Sequence, residues 1–262
     1  MSYVIAFSSE KGGSAKTTST LWLGATLAEA GHKVLVMDLD PLASLTVALG
    51  SEPAALSVTS SQILIESAAL GSACLPTDIP NLDLVPSQSS LESAEHYLPV
   101  QANYTLGIRR ALEAAAPLAY DFVLLDCPPF LGAITTNALS AANLLIIPTL
   151  PDYFAAYALR NMMALIRRVR EESNPGLIYR ILITLLEPQN RMQRGILKQM
   201  QTTFGEGVLQ TAIEMDAMLR QTTDAASGIA GYRPNGRAAR HYRELAGELT
   251  QYLNRVATPQ PE

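Results

Sequence analysis

Cysteine is nearly absent from this chain: of 262 residues only Cys74 and Cys127 carry a thiol, and they lack metal-ligand spacing. That excludes a disulfide-stapled scaffold and a cysteine-held cluster, and leads to the expectation of a reduced, cytoplasmic protein. Long apolar runs are missing as well; none approaches the ~20 residues of a membrane helix. The chain enters its first apolar run at Tyr3 with no basic region and no apolar leader before it, so no secretory signal is expected. Charge is sparse at 16%, while apolar residues make up 48%, enough for a sizeable core. The length suits one large α/β domain over 1–257 with a short tail, 258–262.

Uniform positive charge is also lacking. The net charge is −5, which argues against a protein basic all over, but the two parts of the chain differ. Met1 to Leu159 carries 5 Lys/Arg against 14 Asp/Glu, and Arg160 to Glu262 carries 14 against 10. Such asymmetry hints at a nucleic-acid-facing or membrane-facing end, although a solvated helix face also collects arginines.

What is present is one stretch around which the rest is arranged. The apolar run Tyr3 to Phe7 leads into Ser8-Ser9-Glu10-Lys11-Gly12-Gly13-Ser14-Ala15-Lys16-Thr17-Thr18, and a helix-like pattern follows from Thr17 to Ala30. Strand, glycine-containing loop and helix form a phosphate cradle: backbone N–H groups converge on phosphate oxygens, the helix N-terminus faces the same anion, and Lys16 adds a point charge. The Thr17 hydroxyl is placed for Mg2+. The usual G-x-x-x-x-G-K-[ST] pattern is not met, because Glu10 and Ala15 stand at its two glycine positions. The variant K-G-G-x-x-K-[ST] is met, with Lys11 five residues before Lys16.

Further along, Lys33 to Asp38 and Tyr120 to Asp126 are apolar runs closed by a carboxylate, as expected of central parallel strands. Leu82 to Pro86, Asn143 to Pro148, Tyr179 to Leu185 and Gly207 to Ile213 read as further strands. Helices are expected over Leu56 to Leu70, Asn103 to Ala116, from near Tyr153 to Glu172, Met192 to Phe204 and His241 to Val256, and Gly228 to Gly236 reads as a loop. Trp22, in the apolar first helix, reads as core. This alternation predicts a doubly wound, mostly parallel sheet of about seven or eight strands with helices on both faces.

The lysine pair in this loop resembles the ParA/MinD family of deviant-Walker ATPases. Two more patches carry the resemblance: Asp38-Leu39-Asp40-Pro41 is similar to the family's D-x-D-P-Q, and Asp126-Cys127-Pro128-Pro129 to its D-x-P-P. The resemblance implies ATP and Mg2+ as cofactors. Lys11, Gly12, Gly13, Ser14, Ala15, Lys16, Thr17 and Thr18 would hold the phosphates, and Thr17, Asp38 and Asp126 the metal. Asp40 would orient the attacking water, and Lys11 would reach across a dimer to the partner's phosphates. Three departures stand out: Ala15 in place of glycine, Leu42 in place of glutamine, and Ile213-Glu214-Met215-Asp216, which does not match the family's late adenine-facing segment.

Within that family, the ending Asn254 to Glu262 lacks the basic amphipathic character of a membrane positioner, and paired cysteines of a metal-cluster carrier are missing. The remaining expectation is a ParA-like ATPase that dimerises with ATP, binds DNA non-specifically on the nucleoid, and positions a plasmid, chromosome or protein body such as a carboxysome through an adaptor. Two basic clusters are its candidate DNA contacts: Arg191, Arg194 and Lys198, then Arg233, Arg237, Arg240 and Arg243. The alternative from another class is a small-molecule ATP-dependent enzyme on the same fold, similar to dethiobiotin synthetase.

Overall fold

A computed structural model of the chain describes residues 2–116, 119–216 and 236–257, with side chains as far as 253. Arg233, nearly all of the expected Gly228 to Gly236 loop, and the tail 258–262 lie outside the described residues. Among the described residues there are eight strands: β1 Tyr3–Phe7, β2 Val34–Asp38, β3 Leu75–Pro76, β4 Leu82–Val85, β5 Phe122–Asp126, β6 Leu144–Thr149, β7 Ile178–Leu186 and β8 Val208–Glu214. They form one sheet in the order β3-β4-β2-β5-β1-β6-β7-β8, parallel throughout except for the edge pair β3–β4.

The α-helices are α1 Lys16–Glu29, α2 Ser44–Ala48, α3 Ser60–Glu66, α4 Leu70–Ala73, α5 Ala94–Tyr97, α6 Gly107–Ala114, α7 Ala133–Ala141, α8 Ala155–Glu172, α9 Arg191–Phe204 and a terminal helix Arg237–Ala257. Alternate strand residues feed opposite cores. Ile5, Phe7, Val36 and Leu124 pack with Trp22 of α1 and Leu245 of the terminal helix. Val4, Ala6, Leu35 and Val123 pack on the other side with Ile134 of α7 and Leu159 of α8. Strands covered on both faces have no polar face to show, which is why they read as unbroken apolar runs. Helix α1 lies close on the sheet at Gly24, where a Cβ would come within 3.1 Å of Val36.

Several expected elements differ in detail. The helix expected over Leu56 to Leu70 is confined to α3. Thr59 and Gln62 form a capping box at its start, and Ser67 at φ 56 ends it; α4 is a separate turn. The segment from Asn103 opens as a 3-10 turn, Tyr104–Leu106, before α6, because Asn103 itself is left-handed at φ 56. The terminal helix begins at Arg237, four residues before His241. Helix α7 has no counterpart in the sequence reading: eight of its nine residues are buried, so it carries no amphipathic period.

Candidate functional site

Strand β1 sits between β5 and β6, where the chain's path across the sheet reverses, and ligands of open α/β sheets bind at the carboxyl ends of such strands. Register places three of those ends level with one another: Phe7 pairs with Asp126, and Asp126 with Asp38. The loop from Ser8 to Ala15 leaves β1 at that level and delivers Lys16 and Thr17 into the first turn of α1.

Within the loop, Gly13 has φ +70, a conformation that suits glycine. Ala15, the N-cap of α1, is also left-handed, at φ 64 and ψ 36. Its methyl therefore does not avoid strain through a negative φ; the loop keeps the backbone shape of a glycine at that point. Glu10, at the pattern's other glycine position, accepts a hydrogen bond from Asn161 of α8 at 2.7 Å and so anchors the start of the loop. Gly12 and Gly13 are exposed.

Lys16 is buried, and its Nζ donates to the Lys11 carbonyl at 3.3 Å. Burial lowers its pKa, while the negative charges of Asp126 and Asp40 raise it. Asp126 is fully buried. One oxygen accepts from the Thr20 hydroxyl at 3.3 Å, and the other, Oδ2, has no protein partner among the described residues. Burial raises the Asp126 carboxyl well above the usual range and the adjacent Asp38 adds to this, whereas the Thr17 hydroxyl and Lys16 pull it down. Two buried carboxylates side by side call for a cation. Among the described residues no group of three His, Cys, Asp or Glu is arranged to hold a metal. Thr17 and Asp126 would therefore supply only part of a Mg2+ shell, as is usual where phosphate and water complete it. The buried Ser8 and Ser14 hydroxyls, also without partners, make the cradle polar. These residues fit ATP with Mg2+.

Asp38 is engaged differently. Its Oδ1 accepts from Asp40 N at 3.0 Å, and its Oδ2 from Thr46 N at 2.8 Å and Thr46 Oγ1 at 2.7 Å. Thr46 Oγ1 in turn accepts from Ser87 N at 2.8 Å. Both oxygens of this carboxylate, whose pKa burial pushes up to about 6, thus tie β2 to α2 and to the segment after β4. Asp40 points its Oδ1 at Leu42 N, 3.0 Å away. Burial also raises the Asp40 pKa, against its hydrogen bond from Leu42 and the Lys16 charge. Leu42 itself is exposed.

Lys11 forms an ion pair with Asp152 in the turn after β6. Asp152 lies three residues beyond the end of β6, past Pro151, rather than closing an apolar run as Asp38 and Asp126 do, so that pattern does not mark it. Thr46 was missed for another reason: nothing local marks a buried threonine as the partner of a strand-closing carboxylate.

The basic clusters fall on two surfaces. Arg191, Arg194 and Lys198 are exposed on α9, and no ion pair among the described residues engages them. Arg237 pairs with Glu214 and Asp216, and Arg240 with Glu244, so these two carry acidic neighbours. Arg243 donates to Ala239 O at 3.3 Å. No helix among the described residues is long and apolar enough to cross a membrane.

Residues 2–179 match the family described as AAA domain. The chain is 32% identical to the sporulation initiation inhibitor protein Soj of Bacillus subtilis, over 95% of this chain and 98% of that protein. It is 31% identical to the chromosome partitioning protein ParA of Caulobacter vibrioides, over 94% and 93%. Among solved structures, cobyrinic acid a,c-diamide synthase of Mycobacterium smegmatis with bound ADP and magnesium superimposes with a TM-score of 0.85 at 30% identity, over 97% of this chain and 96% of that one. With the two-lysine loop and the level Asp38–Asp126 pair already in place, these matches establish that the chain belongs to the ParA/MinD family of deviant-Walker ATPases.

Proposed function

We propose that this ATPase is a ParA-like positioning protein, dimeric when ATP is bound, that holds non-specific DNA in that state and moves a cargo through an adaptor. The observation that carries the reading is Lys11. It lies at the mouth of the phosphate site, held by a carboxylate that is about one-third exposed rather than buried, so it is available to a partner subunit. Around that mouth the turns after β2, β5 and β6 present exposed apolar side chains, namely Leu42, Phe130, Tyr153, Phe154 and, on α8, Tyr157. An exposed apolar patch beside a functional site fits a surface that is covered part of the time.

In this reading Lys16 and the loop amides hold the phosphates, Thr17 and Asp126 the Mg2+, and Asp40 orients the attacking water. Bound Mg2+ supplies charge neutralisation across the phosphates. Asp38, through Thr46, fixes the segment that carries Asp40. The α9 trio, at positions i, i+3 and i+7 of one helix face, is the favoured DNA contact, ahead of the acid-paired Arg237 and Arg240. The protein would act in the cytoplasm on the nucleoid; the resemblance supports an adaptor and a plasmid, chromosome or protein-body cargo.

Light scattering and random-sequence DNA binding with ATP or ADP across a salt series test it. An ATP-specific dimer whose DNA affinity falls steeply with salt is expected. Equal DNA binding with both nucleotides would reject the switch. The likeness to cobyrinic acid a,c-diamide synthase of Mycobacterium smegmatis favours a second reading, an ATP-dependent enzyme acting on a small molecule. Under that reading ATP turnover would require a metabolite and be indifferent to DNA.

A further inference from the structure

Ala15 needs an explanation that its own loop does not contain. A residue with a Cβ disfavours the left-handed region, yet Ala15 occupies it at the point where α1 begins. The preceding carbonyl, Ser14 O, accepts a hydrogen bond from Thr184 Oγ1 at 3.0 Å, across 170 residues of sequence. Thr184 is fully buried near the end of β7. There the pairing with β8 slips between Thr184 and Leu186, and the intervening Leu185 is itself left-handed at φ 54. An irregularity of this kind re-aims a strand's side chains.

The peptide between Ser14 and Ala15 is planar, so its carbonyl and its N–H point in opposite directions. Drawing the carbonyl toward β7 turns the Ala15 N–H away from β7. A glycine would sample that orientation unaided; alanine requires a tie. We propose that Thr184 is a positioning residue for nucleotide binding, its hydroxyl holding the Ser14–Ala15 peptide in the left-handed form that Ala15 would otherwise leave. The role concerns nucleotide affinity alone and does not depend on dimerisation or DNA.

The experiment is calorimetric titration with Mg-ADP of the parent, Thr184→Val, Thr184→Ser, Ala15→Gly and Ala15→Gly/Thr184→Val. Loss of one buried hydrogen bond that holds the competent loop should weaken ADP about fivefold in Thr184→Val. Thr184→Ser keeps the donor and should stay within about twofold of the parent, and Ala15→Gly serves as the reference for the double variant. In the Ala15→Gly background Thr184→Val should cost less than about twofold, because the loop no longer needs the tie. Unchanged ADP affinity in Thr184→Val overturns the proposal. So does a loss of equal size in both backgrounds, the result expected if Thr184 merely supports the fold. Thr184→Ala, which places no methyl against the Ser14 carbonyl, carries the same expectation should the valine variant not fold.

Discussion

Lys11 of the phosphate loop and Asp152 of the turn after β6 form an ion pair in which both side chains remain about one-third exposed, 30% and 33%. A pair so accessible is held by roughly 1 kcal/mol or less. Lys11 can therefore leave Asp152 for a stronger anion at little cost, as a cation shared with a partner's phosphates must. Lys11→Ala is expected to keep ADP binding and lose the ATP-dependent dimer, as read by light scattering. An ATP dimer surviving in that variant would remove the trans role.

Asp40 lies beyond the end of β2, oriented by Leu42 N and not by the phosphate loop. Asp40→Ala should bind ATP with near-parent affinity while turnover falls by about 100-fold or more, the usual contribution of a group that activates the nucleophile. Phosphate release under single-turnover conditions checks this, and parental turnover would move the role to another residue.

Thr46 joins the Asp38 carboxylate to Ser87 N in a fully buried chain of hydrogen bonds. Thr46→Val leaves a buried carboxylate oxygen and a backbone N–H short of partners, so a loss of about 2 to 3 kcal/mol is expected in denaturant unfolding. Thr46→Ser, which keeps the hydroxyl, should lose much less. Equal losses would point to packing of the methyl instead.

Ala15 in the left-handed region also bears on stability without nucleotide. Ala15→Gly relieves the Cβ strain but frees the unfolded chain, for a net gain of about 0.5 to 1 kcal/mol. In a protein of this size that raises Tm by about 1 to 4 °C. A lower Tm would mean that the methyl contributes packing.

On α9, Arg191→Ala/Arg194→Ala/Lys198→Ala should weaken ATP-dependent DNA binding and reduce the slope of log affinity against log salt by about 2 to 3 per protomer. The ATP dimer itself should persist. An unchanged slope would shift the contact to the terminal helix, where Arg240 and Arg243 are next.

Much of this was legible in the residues because it depends on local pattern. Lys16, Thr17, Asp38 and Asp126 are marked by a loop between strand and helix and by carboxylates closing apolar runs, and a mostly parallel sheet of about seven or eight strands by the alternation of elements. What escaped depends on distance. The Thr184–Ser14 and Thr46–Ser87 contacts join buried hydroxyls to partners 170 and 41 residues away, which sequence spacing cannot suggest. Helix α7, buried on nearly all sides and with Thr135, Thr136, Asn137 and Ser140 among its buried residues, has no amphipathic period to recognise. The edge strand β3 has two residues, too few for any pattern. The sign of φ at Ala15 could not be read either, since it is set by the loop's closure and by β7.

The packing of the terminal helix against α1 has a consequence for how the molecule is made. Tyr242 stacks on Trp22 with ring centroids 5.8 Å apart, and its hydroxyl meets Ser19 at 3.0 Å, closing a contact between residues 223 apart. The side of the phosphate-loop helix that carries Ser19 and Trp22 therefore lacks Tyr242 until the terminal helix has been synthesised. Contacts of such separation slow folding and leave apolar surface open meanwhile. During translation, then, the helix that opens the nucleotide site is among the last elements to be completed, its contacts with Tyr242 waiting on the end of the chain.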